Sequence, residues 1–162
     1  MNVYTKDELD RINKVKETND KMEEFFNQKR EKWNENIEPL FQIMKTNFTL
    51  ENSQKIIEIQ SLALSYRQNI NEEISYFLNK RSKEDVKLKS LKQEKFIFYA
   101  TGVGLKTNMG EKNLLIDAHI AENERNIQLI DTHIEFLRST SKNLESLGFT
   151  IKNIIELMNY LS

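Results

Sequence analysis

A chain of 162 residues, 38% apolar and 30% charged, is one ordinary domain's worth of protein, and its single proline and four glycines argue against a turn-rich sandwich or barrel. The absence of cysteine excludes disulfides, thiol catalysis and cysteine-based zinc sites. A net charge of −1 gives no overall pull toward nucleic acid. No apolar run approaches the length that spans a bilayer, and the polar opening MNVYTKDELDRINK carries no secretory signal pattern, so the expectation is a soluble, cytoplasmic protein, in the host cytoplasm if the source is viral.

Three helical segments follow one another. The first, KDELDRINKVKETNDKMEEFFNQKREKWNENIEPL, places Leu9, Ile12, Val15, Met22, Phe26, Trp33 and Ile37 on a helical stripe. Pro39 predicts a break near Glu38, because a residue before proline is pushed out of the helical region. The middle segment starts after a cap at Thr49 or Asn52. It runs Ile56, Ile59, Ala63, Tyr66, Ile70, Ile74, Phe77, Arg81, Glu84, Leu88, Leu91, Lys95, Phe98 at spacings of three and four, its second half polar. RSKED, with Ser82 three residues before Asp85, could restart a helix there.

FYATGVGLKTNMGEK comes next and superficially resembles a phosphate-cradling loop. That motif needs glycines bracketing four residues and then Lys-Ser/Thr, but Leu105 and Ala100 stand where the glycines belong. The stretch instead reads as a turn between helices, with Gly102 and Gly104 letting the chain reverse.

The last segment holds Ile116, Ile120, Asn123, Ile127, Ile130, Ile134, Leu137, Ser141, Leu144, Gly148, Ile151, Ile155 and Met158 on a seven-residue repeat. The register is unbroken across Gly148, so one helix from Asn113 to Leu161 is expected, about 70 Å long at 1.5 Å per residue. Glycine on the seam implies a closely approaching backbone or a bend. The fold class is therefore all-α: long heptad-patterned helices in an elongated hairpin or bundle, with self-association as the expected way of covering the stripes. His119 and His133 lie fourteen residues apart without a Glu-x-x-His pair, so they are expected as surface or seam residues, and no metal or other cofactor is expected.

Charge is uneven. Between Asn79 and Lys106 eight lysines and arginines stand against three acids, a local charge of +5. Leu88, Lys92, Lys95 and Tyr99 share a helical face flanked by Phe96 and Phe98. Lysines interleaved with aromatic rings are the ingredients of sequence-independent single-strand binding. The expected contacts are Lys87, Lys89, Lys92, Lys95, Phe98, Tyr99 and Lys106. The same pattern also fits core aromatics with lysine stems laid along apolar surface. No paired carboxylates in a glycine-framed cleft, serine elbow or phosphate loop occurs, so an enzyme is not expected.

The blocks LKQEKFIFYATG, Leu91 to Gly102, and LGFTIKNIIELMNYL, Leu147 to Leu161, separated by the loop, resemble the UvsY family of recombination mediators of T-even-type bacteriophages. Members carry a basic helix with a Leu-Lys element, a double aromatic before Ser/Thr-Gly, a loop, and a terminal helix with a Phe-x-Ile-Lys-x-x-Ile signature. The resemblance covers roughly Leu50 to Ser162. Lys92 falls on the family's DNA-contacting lysine; the arginine that follows it falls on Glu94, and one extra residue separates the aromatics from Gly102.

The resemblance implies residues 1–47 as a helical extension and 48–162 as a single-stranded-DNA-binding and oligomerisation domain. It implies a homo-oligomeric ring, hexamer or heptamer, that loads a RecA-like recombinase onto strands covered by single-strand-binding protein, in homologous recombination and repair. The ring would be held by the terminal helix, through Ile127, Ile130, Ile134, Leu137, Leu144, Gly148, Phe149, Ile151, Ile155 and Met158. A coiled-coil adaptor that does not bind DNA is the other reading of the same heptads.

Overall fold

The computed structural model describes residues 4–46, 49–101 and 109–162. Among them the chain is all-α: α1 (Lys6–Gln42), α2 (Ser53–Thr101) and α3 (Met109–Leu161), with short 3-10 turns at Ile43–Lys45 and Leu50–Asn52. The expected turn glycines Gly102 and Gly104, and Lys106, lie outside the described residues. No helix among the described residues is long and apolar enough to cross a membrane.

α1 opens on a reciprocal cap. The Glu8 N–H donates to Thr5 Oγ1 at 3.2 Å while the Thr5 N–H donates to Glu8 Oε2 at 3.1 Å, so two otherwise orphaned donors are satisfied. Pro39 lies inside α1, which continues to Gln42, so the expected break near Glu38 is absent. A proline inside a helix costs roughly 3 kcal/mol through its missing N–H and its clash with the carbonyl four residues back. Ile37 and Leu40 on either side of it are both buried. At about 1.5–3 kcal/mol per buried aliphatic side chain, they offset that cost. The helix gives way to the 3-10 turn, which ends where Thr46 becomes extended and its N–H and Oγ1 both donate to the Ile43 carbonyl.

α2 begins directly after Asn52 and runs unbroken through RSKED, where Asp85 accepts from Lys89 instead of helping to restart a helix. α3 begins at Met109, ahead of the expected Asn113, and is continuous through Gly148.

The chain forms two compact units, Met1–Phe26 with Leu78–Thr132 and Asn27–Phe77 with His133–Ser162, and all three helices contribute to each. In the first unit α2 and α3 are antiparallel, as the pairs Arg81–Asp131, Lys92–Glu124 and Tyr99–His119 require. Leu88, Tyr99, Ile116, Ile120 and Ile127 form an apolar cluster there, with Leu91 and Leu115 against it. In the second unit α2 and α3 are again antiparallel, through Glu73–His133, Asn71–Ser141 and Arg67–Glu145. Its buried side chains include Ile56, Ile70, Leu137, Leu144 and Ile151.

α3 buries more than its heptad seam. A second line at seven-residue steps, His119, Asn126, His133 and Thr140, is buried as well. A helix packed against two neighbours needs a wider stripe than a two-stranded seam, and this line supplies it. His119 and His133 are therefore interior residues and not surface ones. Tyr99 OH lies 2.6 Å from His119 Nε2, the Asn126 amide donates to Asn19 Oδ1 at 2.9 Å, and His133 Nε2 lies 3.2 Å from Glu73 Oε1.

Candidate nucleic-acid interface

Helical spacing places Leu88, Lys92, Lys95 and Tyr99 toward one side of α2, and the middle of that side faces the core of the first unit. Leu88, Lys95 and Tyr99 are buried, whereas Lys92, on the margin, keeps 47% of its side chain exposed. Lys95 donates to Glu8 Oε1 at 2.5 Å, and its ammonium lies 5.6 Å from the Phe98 ring centre. One carboxylate thus closes the cap of α1 with Oε2 and neutralises a buried cation with Oε1. Burial pushes the Glu8 carboxyl up, but the hydrogen bonds from Lys95 and the Thr5 backbone outweigh it and hold the group below the usual carboxylate range. Tyr99 is committed to His119, and burial pushes its hydroxyl pKa up. Neither Lys95 nor Tyr99 is available to a strand in this conformation.

The remaining contacts divide between two flanks of α2. Lys89, Lys92 and Phe96 follow at spacings of three and four, so they lie along one flank. Lys92 and Phe96, with Gln93, face Asn113, Ile116 and Asp117 of α3 across an open hollow of about 480 Å³. Lys87 and Phe98 lie on the other flank, both exposed. Phe96, which spacing alone puts only beside the site, is therefore the aromatic ring best positioned to accompany Lys92.

Of the +5 seen in the sequence, which already counts Glu84 and Asp85, acids on the other two helices meet three charges. Lys87 pairs with Glu84 and Lys89 with Asp85 on α2 itself; Arg81, Lys92 and Lys95 pair with Asp131, Glu124 and Glu8 from α3 and α1. Lys80 and Lys83 have no ion pair among the described residues. Exposed pairs are weakened by solvent and by salt, so a phosphate can exchange for the carboxylate at Lys87, Lys89 or Lys92. The buried Lys95–Glu8 pair resists exchange, because separating it strands a charge away from water.

The residues expected to hold a ring also divide. Ile127, Ile130, Ile134, Leu137, Leu144 and Ile151 are buried inside a single chain, covered by its own helices. Gly148, Ile155 and Met158 are half-buried, and Phe149 is 61% exposed. A Cβ built on Gly148 meets nothing within 4 Å, so no closely approaching backbone accounts for the glycine. It lines a hollow of about 190 Å³ between Ala63 and Leu64 of α2 and Leu144 and Phe149 of α3. Beyond it Leu157, Tyr160 and Leu161 stand exposed.

No family model, curated protein or solved structure matches this chain. Among the described residues no group of three or more histidine, aspartate or glutamate side chains could hold a metal ion.

Proposed function

We propose that the chain is a non-enzymatic recombination mediator: a homo-oligomer that binds single-stranded DNA and loads a RecA-like recombinase onto strands covered by single-strand-binding protein. The observation that carries the DNA contact is the exposed flank Lys89, Lys92 and Phe96 beside the 480 Å³ hollow, where charge for a phosphate and a ring for a base lie about one helical turn apart. The ordered blocks LKQEKFIFYATG and LGFTIKNIIELMNYL, through their resemblance to the UvsY family, support the mediator role.

Self-association in this reading uses the side chains that a single chain leaves open, Phe149, Leu157, Tyr160 and Leu161, and not the buried heptad seam. Exposed apolar surface of this kind is what an interface between copies would cover. Several weak sites presented together then gain affinity through effective concentration. The alternative is an adaptor without DNA affinity, favoured by the ion pairs that already engage Arg81, Lys87, Lys89, Lys92 and Lys95. Recombinase filament growth on a labelled strand precoated with single-strand-binding protein tests the role. Acceleration by the chain, reduced in Lys89→Ala/Lys92→Ala, is expected; an unchanged rate at saturating protein contradicts it.

A further inference from the structure

Trp33 is the only tryptophan in the chain and lies on α1 in the second unit. Its indole N–H donates to Glu73 Oε2 at 3.1 Å, and its ring meets Tyr66 edge-on at 5.7 Å between centres. The indole is therefore fixed in place with its one donor satisfied, and what it still offers to a ligand is the π face. Beside it lies a hollow of about 180 Å³ lined by Lys29, Lys32, Trp33 and Asn36, space for one flat ring.

The charges that α1 brings to that hollow have one sign. Lys29 and Lys32 precede Trp33 by four and one residues and lie on its flank; Asn36, three residues on, completes the rim. Glu31 and Glu35 stand two residues either side of Trp33, which turns them to the far side of the helix. Glu73 is the carboxylate that reaches the site, and it holds Lys29 at 3.5 Å as well as the indole. Lys32 is exposed and has no ion pair among the described residues.

We propose that Trp33, Lys29, Lys32 and Asn36 form a nucleobase-stacking subsite for single-stranded DNA, separate from the flank of α2 described above. The inference rests on the single-strand-binding reading of the chain. A base stacks on the held indole face, Lys32 takes the adjoining phosphate, and the Asn36 amide meets a base edge. Because the ring is already fixed, stacking forfeits little side-chain entropy.

The chain's single tryptophan makes the test direct. Full-length protein is titrated with an end-labelled poly-dT oligonucleotide while anisotropy of the label and emission of Trp33 are followed together, with an abasic oligonucleotide of equal length as comparison. Saturable binding with quenching of Trp33 by poly-dT, and markedly less by the abasic strand, is expected. Trp33→Leu should weaken affinity about tenfold, the range of one lost base stack, while Trp33→Phe retains most of it. Lys32→Gln, at an exposed position, should weaken both binding and quenching without changing the fold. Anisotropy that saturates with Trp33 emission unchanged, or equal quenching by the abasic strand, overturns the subsite and leaves the α2 flank standing. No anisotropy change with either strand overturns both.

Discussion

Replacing Gly148 by alanine isolates the one place where the heptad of α3 lacks a side chain. Glycine in a helix interior is less favourable than alanine by about 0.8–1.0 kcal/mol. That gain is cancelled where a Cβ collides, but at Gly148 the new atom meets nothing within 4 Å and enters the edge of a 190 Å³ hollow. Stabilisation of about 1 kcal/mol is therefore expected. With an unfolding entropy of about 2.1 cal/mol/K per residue over 162 residues, this raises Tm by about 3 °C. Thermal unfolding followed by far-UV circular dichroism, repeated over a range of protein concentrations, reads the shift. Light scattering on the same samples shows whether the added methyl obstructs association at the Phe149 face. A Tm below that of the parent at low concentration would refute the claim that space at residue 148 is open.

Burial lowers the pKa of His119, with Lys95 and Arg11 adding to it and Glu8 opposing; Tyr99 is its hydrogen-bond partner. The unfolded chain therefore binds a proton near pH 6.5 that the folded chain refuses, and stability should fall as pH drops below that point. Chemical denaturation midpoints that stay flat from pH 7.5 to about 5.5 would contradict a buried neutral imidazole. Glu8 and Glu73 have lowered pKa values, so their contribution is present above the ordinary value of 4.5 and lost as pH falls through their folded pKa, a second decline at more acid pH. Lys95→Ala should destabilise by about 2 kcal/mol, below the roughly 3–5 kcal/mol of a fully buried pair, because the stranded Glu8 side chain keeps 18% of its surface in water. Lys95→Ala/Glu8→Ala should recover part of that loss. Equal unfolding midpoints for Lys95→Ala and Lys92→Ala would show that the Lys95 pair is not buried in solution.

The helices themselves are legible in the sequence. Apolar residues at spacings of three and four mark all three, and the unbroken register of the last one carries it through Gly148. Pro39 misleads because local proline chemistry says nothing of the burial of Ile37 and Leu40 on either side. The cap at Thr5 and Glu8 is written in TKDE, a Ser/Thr-x-x-Glu pattern of polar residues that is independent of the apolar stripe. His119, Asn126, His133 and Thr140 repeat every seven residues, but being polar they give no hydrophobic signal; their regular step is the only clue.

The candidate site is less legible for a physical reason. Spacing tells which residues share a helical face, not what covers that face. Lys95 and Tyr99 do lie on one side with Lys92, yet Glu8 claims the first and His119 the second. The excess of positive charge along α2 is likewise real in sequence and mostly balanced in space, since Glu8, Glu124 and Asp131 come from the other two helices.

Anisotropy titration of labelled poly-dT over a range of salt, with mass from light scattering in the same buffers, tests most directly whether an assembled form of this chain binds single strands through Lys89, Lys92 and Phe96. Each phosphate neutralised on a single strand contributes about −0.7 to the slope of log K against log salt, so one each at Lys89 and Lys92 predict a slope of about −1.4 per protomer engaged. Binding by an oligomer with at least that slope, shallower in Lys89→Ala/Lys92→Ala, is the predicted result. A well-formed oligomer that leaves poly-dT unbound at low salt would contradict DNA binding and leave a helical adaptor in its place.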